Sequence, residues 1–189
     1  MAADPPMTDE RSAALQGGFA SLIGEAVTSV WYVVSRPQVP AESSWVNAKI
    51  HEVDLDVELQ LGARAVTVGW SRENLVEGLS VRIDDSLRHR DESQSRIDVS
   101  SLAPWPILIG STIVETAVAW HITEDGCPES VWSVRIATSA QRSVVIALGE
   151  LDDGPSYYPD ALVVIFDEST ARQYRPASSQ SSAWGQVWP

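Results

Sequence analysis

The chain has 189 residues, 44% hydrophobic and 21% charged, a balance that suits one domain with a full apolar core and argues against two very small ones. Its formal charge of −13 and pI near 4.5 repel phosphates, so nucleic acid and anionic membranes are poor partners, and basic proteins or cationic small molecules are better ones. A single cysteine, Cys127, excludes an intrachain disulfide and a cysteine-based zinc site.

Residues 1–7 read as a disordered leader. MAADPPMTDE carries acids and prolines where a secretory signal needs a basic patch and an apolar run, so a cytoplasmic location is expected. No apolar stretch approaches the roughly 18 residues of a membrane span. Thr8 has the chemistry of an N-cap, with Asp9 and Glu10 in the first turn. Leu15, Phe19, Leu22 and Ala26 then recur at helical spacing, which predicts one amphipathic helix over 8–24 packed on a sheet. AVTSVWYVV, at 26–34, is β-branched and aromatic at both parities, as in a mostly buried strand, and the prolines of RPQVPAESS end it.

In HEVDLDVELQLG, 51–62, the apolar residues Val53, Leu55, Val57, Leu59 and Leu61 alternate with Glu52, Asp54, Asp56, Glu58 and Gln60. One continuous strand would place four carboxylates on one face. Gly62 and Ala63, with Gly at the first central position as a type II′ turn requires, lead into ARAVTVGW and so predict a hairpin. Its register pairs Leu59 with Val66, Val57 with Val68 and Leu55 with Trp70. On the polar face Gln60, Glu58 and Asp56 meet Ala65, Thr67 and Gly69, with no base opposite them. GLSVRID, 78–84, supplies a third strand whose Arg82 would offset part of the acidic row if it pairs with 64–70. DDSLRHRDESQSR reads as a mobile loop.

Trp105 stands between two prolines in an extended or turning segment. TIVETAVAWHI fits strand or helix, and its β-branched residues favour strand. With VWSVRIA and SVVIALGE it makes an antiparallel meander across 112–150, interrupted by the TEDGCPES turn. GELDDGPSYYPD is an acidic loop, and ALVVIF after it has the unbroken apolar character of a strand buried on both faces. Asp167 caps a short helix in DESTARQY. PASSQSSAWGQVWP is a polar, flexible tail over 177–189 apart from Trp184 and Trp188. The expected fold is a single α+β domain over 8–176, predominantly antiparallel β-sheet of about six to eight strands in a sandwich or half-barrel, with an N-terminal helix and a short C-terminal helix.

Motifs for chemistry are absent. Gly69-Trp70-Ser71 lacks the second glycine of a serine elbow, and Glu150, Asp152, Asp153 and Asp160 miss the EF-hand spacing. His51, His89 and His121 have no zinc-helix spacing, so neither a metal nor a cofactor is expected. The acidic row has a bland reading, a wet sheet face. It also has a sharper one, because outward side chains about 6.8 Å apart suit a row of Arg or Lys on a partner. A flat row does not converge on a metal ion.

The function expected from this is an acidic interaction module that binds, and by analogy of charge and size with immunity proteins and nuclease inhibitors neutralises, a basic protein. Glu52, Asp54, Asp56 and Glu58 would dock it, with Trp184 and Trp188 as anchors. The competing reading is a small-molecule site, or a cofactor-independent enzyme, with a Trp-lined, carboxylate-rimmed pocket for a cationic or aromatic metabolite. Glu115, His121 or Asp167 would then serve as acid or base. Concavity around these groups separates the two.

Overall fold

Alternating segments can bury one face only by pairing and stacking, and the computed structural model, which describes residues 5–9, 12–35, 49–87 and 92–187, does so with two antiparallel sheets around one core. In chain order the elements are α1 (Ser12–Ala20), β1 (Val27–Ser35), β2 (Ile50–Val53), β3 (Asp56–Leu61), β4 (Arg64–Glu73), β5 (Val76–Asp84) and β6 (Gln94–Asp98). There follow β7 (Ile113–His121), β8 (Ser130–Thr138), β9 (Arg142–Leu148), β10 (Glu150–Leu151), β11 (Pro155–Ser156), β12 (Leu162–Ile165), α2 (Glu168–Gln173) and β13 (Gln186–Val187). The five-stranded sheet runs β5-β4-β3-β1-β6, the six-stranded sheet β13-β7-β8-β9-β12-β2, and β10 pairs with β11 as a ribbon.

The hairpin forms in the expected register: Leu59 opposite Val66, Val57 opposite Val68, Glu58 opposite Thr67 and Asp56 opposite Gly69. Gly62 takes φ +54° and Ala63 does not share the positive sign, which fits Gly at the first central position. β5 continues the pattern, with Val81 opposite Val68 and Arg82 opposite Thr67. The meander is β7-β8-β9, so residues 113–121 are strand, and β12 is buried at every position. Val57, Leu59, Val66, Val68 and Leu79 from one sheet and Val134, Ile136, Ile146 and Leu148 from the other share a single apolar cluster. Each such side chain contributes about 1.5–3 kcal/mol by burial. Among the described residues no helix is long and apolar enough to cross a membrane.

The strands outnumber the expected six to eight, because several are short or polar. β6 lies in the segment read as a loop: QSRID carries one apolar residue, Ile97, and forms the edge beside β1. α1 begins later than Thr8. Thr8 bridges Ser130, while Met7 donates to the Leu79 carbonyl and accepts from the Val131 amide. The edge of β5 and the first residues of β8, before its pairing with β9 begins, thus give residues 7–8 backbone partners.

After α2 the chain packs over β8 as far as its described part extends, residue 187. Ser133 donates to the Ala183 carbonyl, Trp132 Nε1 to Ser179 Oγ and Arg135 Nε to the Trp184 carbonyl. Ala183 is fully buried, and β13 pairs with β7. Small polar residues predicted a loose tail, and the buried polar groups of β8 instead give it partners.

Candidate functional site

The acidic row is divided between the sheets. Ile50–Val53 belongs to the six-stranded sheet beside β12, and Asp56–Leu61 to the five-stranded sheet. The bend between them is held by Leu55 N–H donating to the Val33 carbonyl and Trp70 Nε1 donating to the Asp54 carbonyl. The ladder therefore stops at Asp56, one pair short of the expected Leu55–Trp70 contact.

Asp56 and Glu58 lie on the outer face of the five-stranded sheet, but not in open water. Glu58 is fully buried, and Arg96 of β6 grips it through two bonds, Nε to Oε2 at 2.5 Å and Nη2 to Oε1 at 3.2 Å. The base missing from the strand opposite Glu58 comes from two strands away, from the segment read as a loop. Asp56 lies flat over Gly69: a Cβ on that residue would overlap its carboxylate oxygen. Arg82 pairs with Asp84 at 2.5 Å.

Glu52 and Asp54 turn the other way. With Glu150, the first residue of β10, and Asp160, which follows the β10-β11 ribbon, they line an open cleft of about 420 Å³ whose other walls are Val34, Tyr158 and Ala161. Glu52 Oε2 accepts from the Leu151 amide and Asp54 Oδ2 from the Ser35 amide, both at 2.8 Å. A carboxylate has about four lone-pair sites, and each of these bonds takes one of them. The Glu150 and Asp160 side chains have no hydrogen-bond or ion-pair partner among the described residues, and Tyr158 is 44% exposed. Among the described residues no basic side chain lines the cleft, and no three of its carboxylates are placed to share a metal ion.

The other residues singled out from sequence lie apart. Glu115, His121 and Asp167 line three separate depressions. Glu115 binds Arg135 at 2.7 Å. Asp167 is the N-cap of α2, as expected, and hydrogen bonds from Ser169 and Thr170 hold its carboxyl down at about 2, which suits a cap and not a base. His121 is buried at the end of β7, between the Glu77 carbonyl and Ser178. Trp184 is not a free anchor: the guanidinium groups of Arg135 and Arg172 each lie over its indole at 4.5 Å from the ring, and they hold the segment after α2 to the body. Trp188 and His89 lie outside the described residues.

His51, one residue before Glu52, faces the core. Its Nδ1 accepts from the Tyr32 hydroxyl at 2.7 Å, which in turn accepts from Trp105 Nε1 at 2.8 Å. Nε2 has no closely fitting partner among the described residues, and the Ala103 backbone is the polar group that offsets part of its burial. Burial pushes this imidazole down to about 4, so it sits neutral in the core.

The acidic loop was visible in the sequence, but nothing local tied it to Glu52 and Asp54, about 100 residues earlier. Tyr158 carried no signal beyond a neighbouring acid. No family model, no curated protein and no solved structure matches the chain.

Proposed function

We propose that the chain is an acidic docking module that binds a basic protein partner through the cleft between β2 and the β10-β11 ribbon. One observation carries the reading: four acidic side chains line one concave, open site in which Glu150 and Asp160 have no partner among the described residues. Like charges gathered in a cleft repel one another and focus the field outward, and a guanidinium or ammonium group entering from a partner relieves that repulsion. The overall charge of −13 steers such a partner in. Tyr158, exposed at the cleft wall, takes the anchoring role first assigned to Trp184 and Trp188. Asp56 and Glu58 leave the docking set, since Glu58 is spent on Arg96.

The test is capture from cells of the source organism at low salt, with the native chain and a Glu52→Gln, Asp54→Asn, Glu150→Gln, Asp160→Asn variant side by side. A basic protein held by the native chain, released as salt rises and absent from the variant, is the expected result. Equal capture by both chains, or capture indifferent to salt, removes the cleft from the function.

A further inference from the structure

A second concavity, sharing no residue with the acidic cleft, runs between the edge of β7 and the chain after α2. It measures about 410 Å³, within the usual range for small-molecule sites. His121 and Ser178 line it together, and the hydrogen bonds of the imidazole fix its tautomer. Nε2 lies 2.9 Å from the Glu77 carbonyl oxygen, which only accepts, so in the neutral ring Nε2 bears the proton. Nδ1 then presents its lone pair, and the Ser178 hydroxyl, 3.0 Å away, donates to it. That Glu77 carbonyl is itself held in place by the Ser130 hydroxyl at 2.6 Å. Burial pushes the His121 imidazole below its ordinary range, which keeps the ring unprotonated near neutral pH.

A hydroxyl bound to an imidazole lone pair, with the far nitrogen oriented by a fixed acceptor, is the arrangement of an activated nucleophile. The walls suit an acyl substrate. Trp120 offers a flat apolar surface, while Gln180 and Gln186 bring side-chain amides with no partner among the described residues, donors available to a developing oxyanion. Glu129 at the same wall disfavours anions.

We propose that Ser178 is a nucleophile and His121 its general base, in a site that hydrolyses small carboxylic esters carrying no negative charge. In the first half-reaction Oγ bonds to the ester carbonyl carbon as its proton passes to Nδ1, and the carbonyl π electrons move onto oxygen. The tetrahedral species collapses, the carbon–oxygen bond to the alcohol breaks, and the leaving alkoxide takes the proton from Nδ1. Water then attacks the acyl-serine, giving its proton to Nδ1. Collapse returns that proton to Oγ and releases the carboxylic acid. Nε2–H donates to the Glu77 carbonyl throughout and steadies the transient imidazolium.

The experiment treats the full chain with a fluorophosphonate probe and maps the adduct by mass spectrometry, with p-nitrophenyl acetate turnover measured in parallel. The expected result is one adduct, on Ser178, with labelling and turnover abolished by Ser178→Ala and reduced about 10²-fold or more by His121→Gln. His121 is buried and its replacement can unfold the chain, so the native protein alone also decides the matter. No adduct on Ser178 under conditions that label a reference serine esterase overturns the proposal. So does labelling spread over several serines at the rate seen in urea.

Discussion

Glu52 and Asp54 differ from Asp56 and Glu58 in little but position, yet the two pairs have opposite fates. The first pair lines an open cleft, each carboxylate also accepting one backbone amide. In the second, Glu58 is sealed by Arg96 and Asp56 fits a gap that only glycine at position 69 leaves. The same alternating sequence therefore yields carboxylates lining an open cleft on one side of the Asp54–Leu55 bend and carboxylates packed into the sheet on the other. Charge alone does not identify a binding residue, and what lies over the carboxylate does.

The contrast is open to direct attack. Arg96→Met removes the two charge-assisted hydrogen bonds that Arg96 makes to the buried Glu58 and is expected to cost about 3 kcal/mol in urea denaturation. Adding Glu58→Gln to that variant should recover most of the loss, since the uncompensated charge is gone. Little cost from Arg96→Met would place Glu58 in water and dissolve the distinction.

His51 tests the same strand from its other face. Its imidazole lies at about 4 in the fold against 6.5 when unfolded, so the unfolded chain binds more protons between these values. The neutral core histidine is fully accommodated above about pH 6.5, and stability falls as pH drops from 6.5 toward 4, by on the order of 3 kcal/mol. His121, also lowered by burial, pulls in the same direction. His51→Gln keeps an acceptor for the Tyr32 hydroxyl and removes one titration, so its stability should fall less steeply over that window; an unchanged slope contradicts the assignment.

Gly69→Ala forces a Cβ into the Asp56 carboxylate, with an expected loss of about 2 kcal/mol. In an Asp56→Ala background the cost should shrink, and a double-mutant cycle reads the difference. The smallest effect belongs to the cleft. Glu52→Gln with Asp54→Asn keeps an acceptor for the Leu151 and Ser35 amides and should change stability by less than about 0.5 kcal/mol, while weakening capture of the basic partner.

How much of this was legible depended on distance along the chain. The 56–69 hairpin was readable because two local signals, period-two alternation and a turn at Gly62, agreed on one register. The Asp167 cap was readable for the same reason, its partner Thr170 being three residues away. β6 was not, since an edge strand with one apolar residue has no alternation to read. The segment after α2 was not, because its serines and alanines are ordered by Ser133 and Arg135 of β8, about 50 residues earlier. Ser178 carries no local signal within that polar stretch, since its hydrogen-bond partner His121 is 57 residues away.

The sequence by itself determined that the chain is an acidic, antiparallel β protein, where most strands run, and which parity of each hairpin strand turns inward. These follow from side-chain spacing and turn chemistry, which act between near neighbours. Only the tertiary structure decided that the acidic row breaks across two sheets, that Arg96 reaches Glu58, and that the Glu150–Asp160 loop closes a cleft with Glu52 and Asp54. The reason is solvation: whether a carboxylate meets water, a guanidinium or another acid depends on which remote segment covers it, and no local pattern encodes that segment.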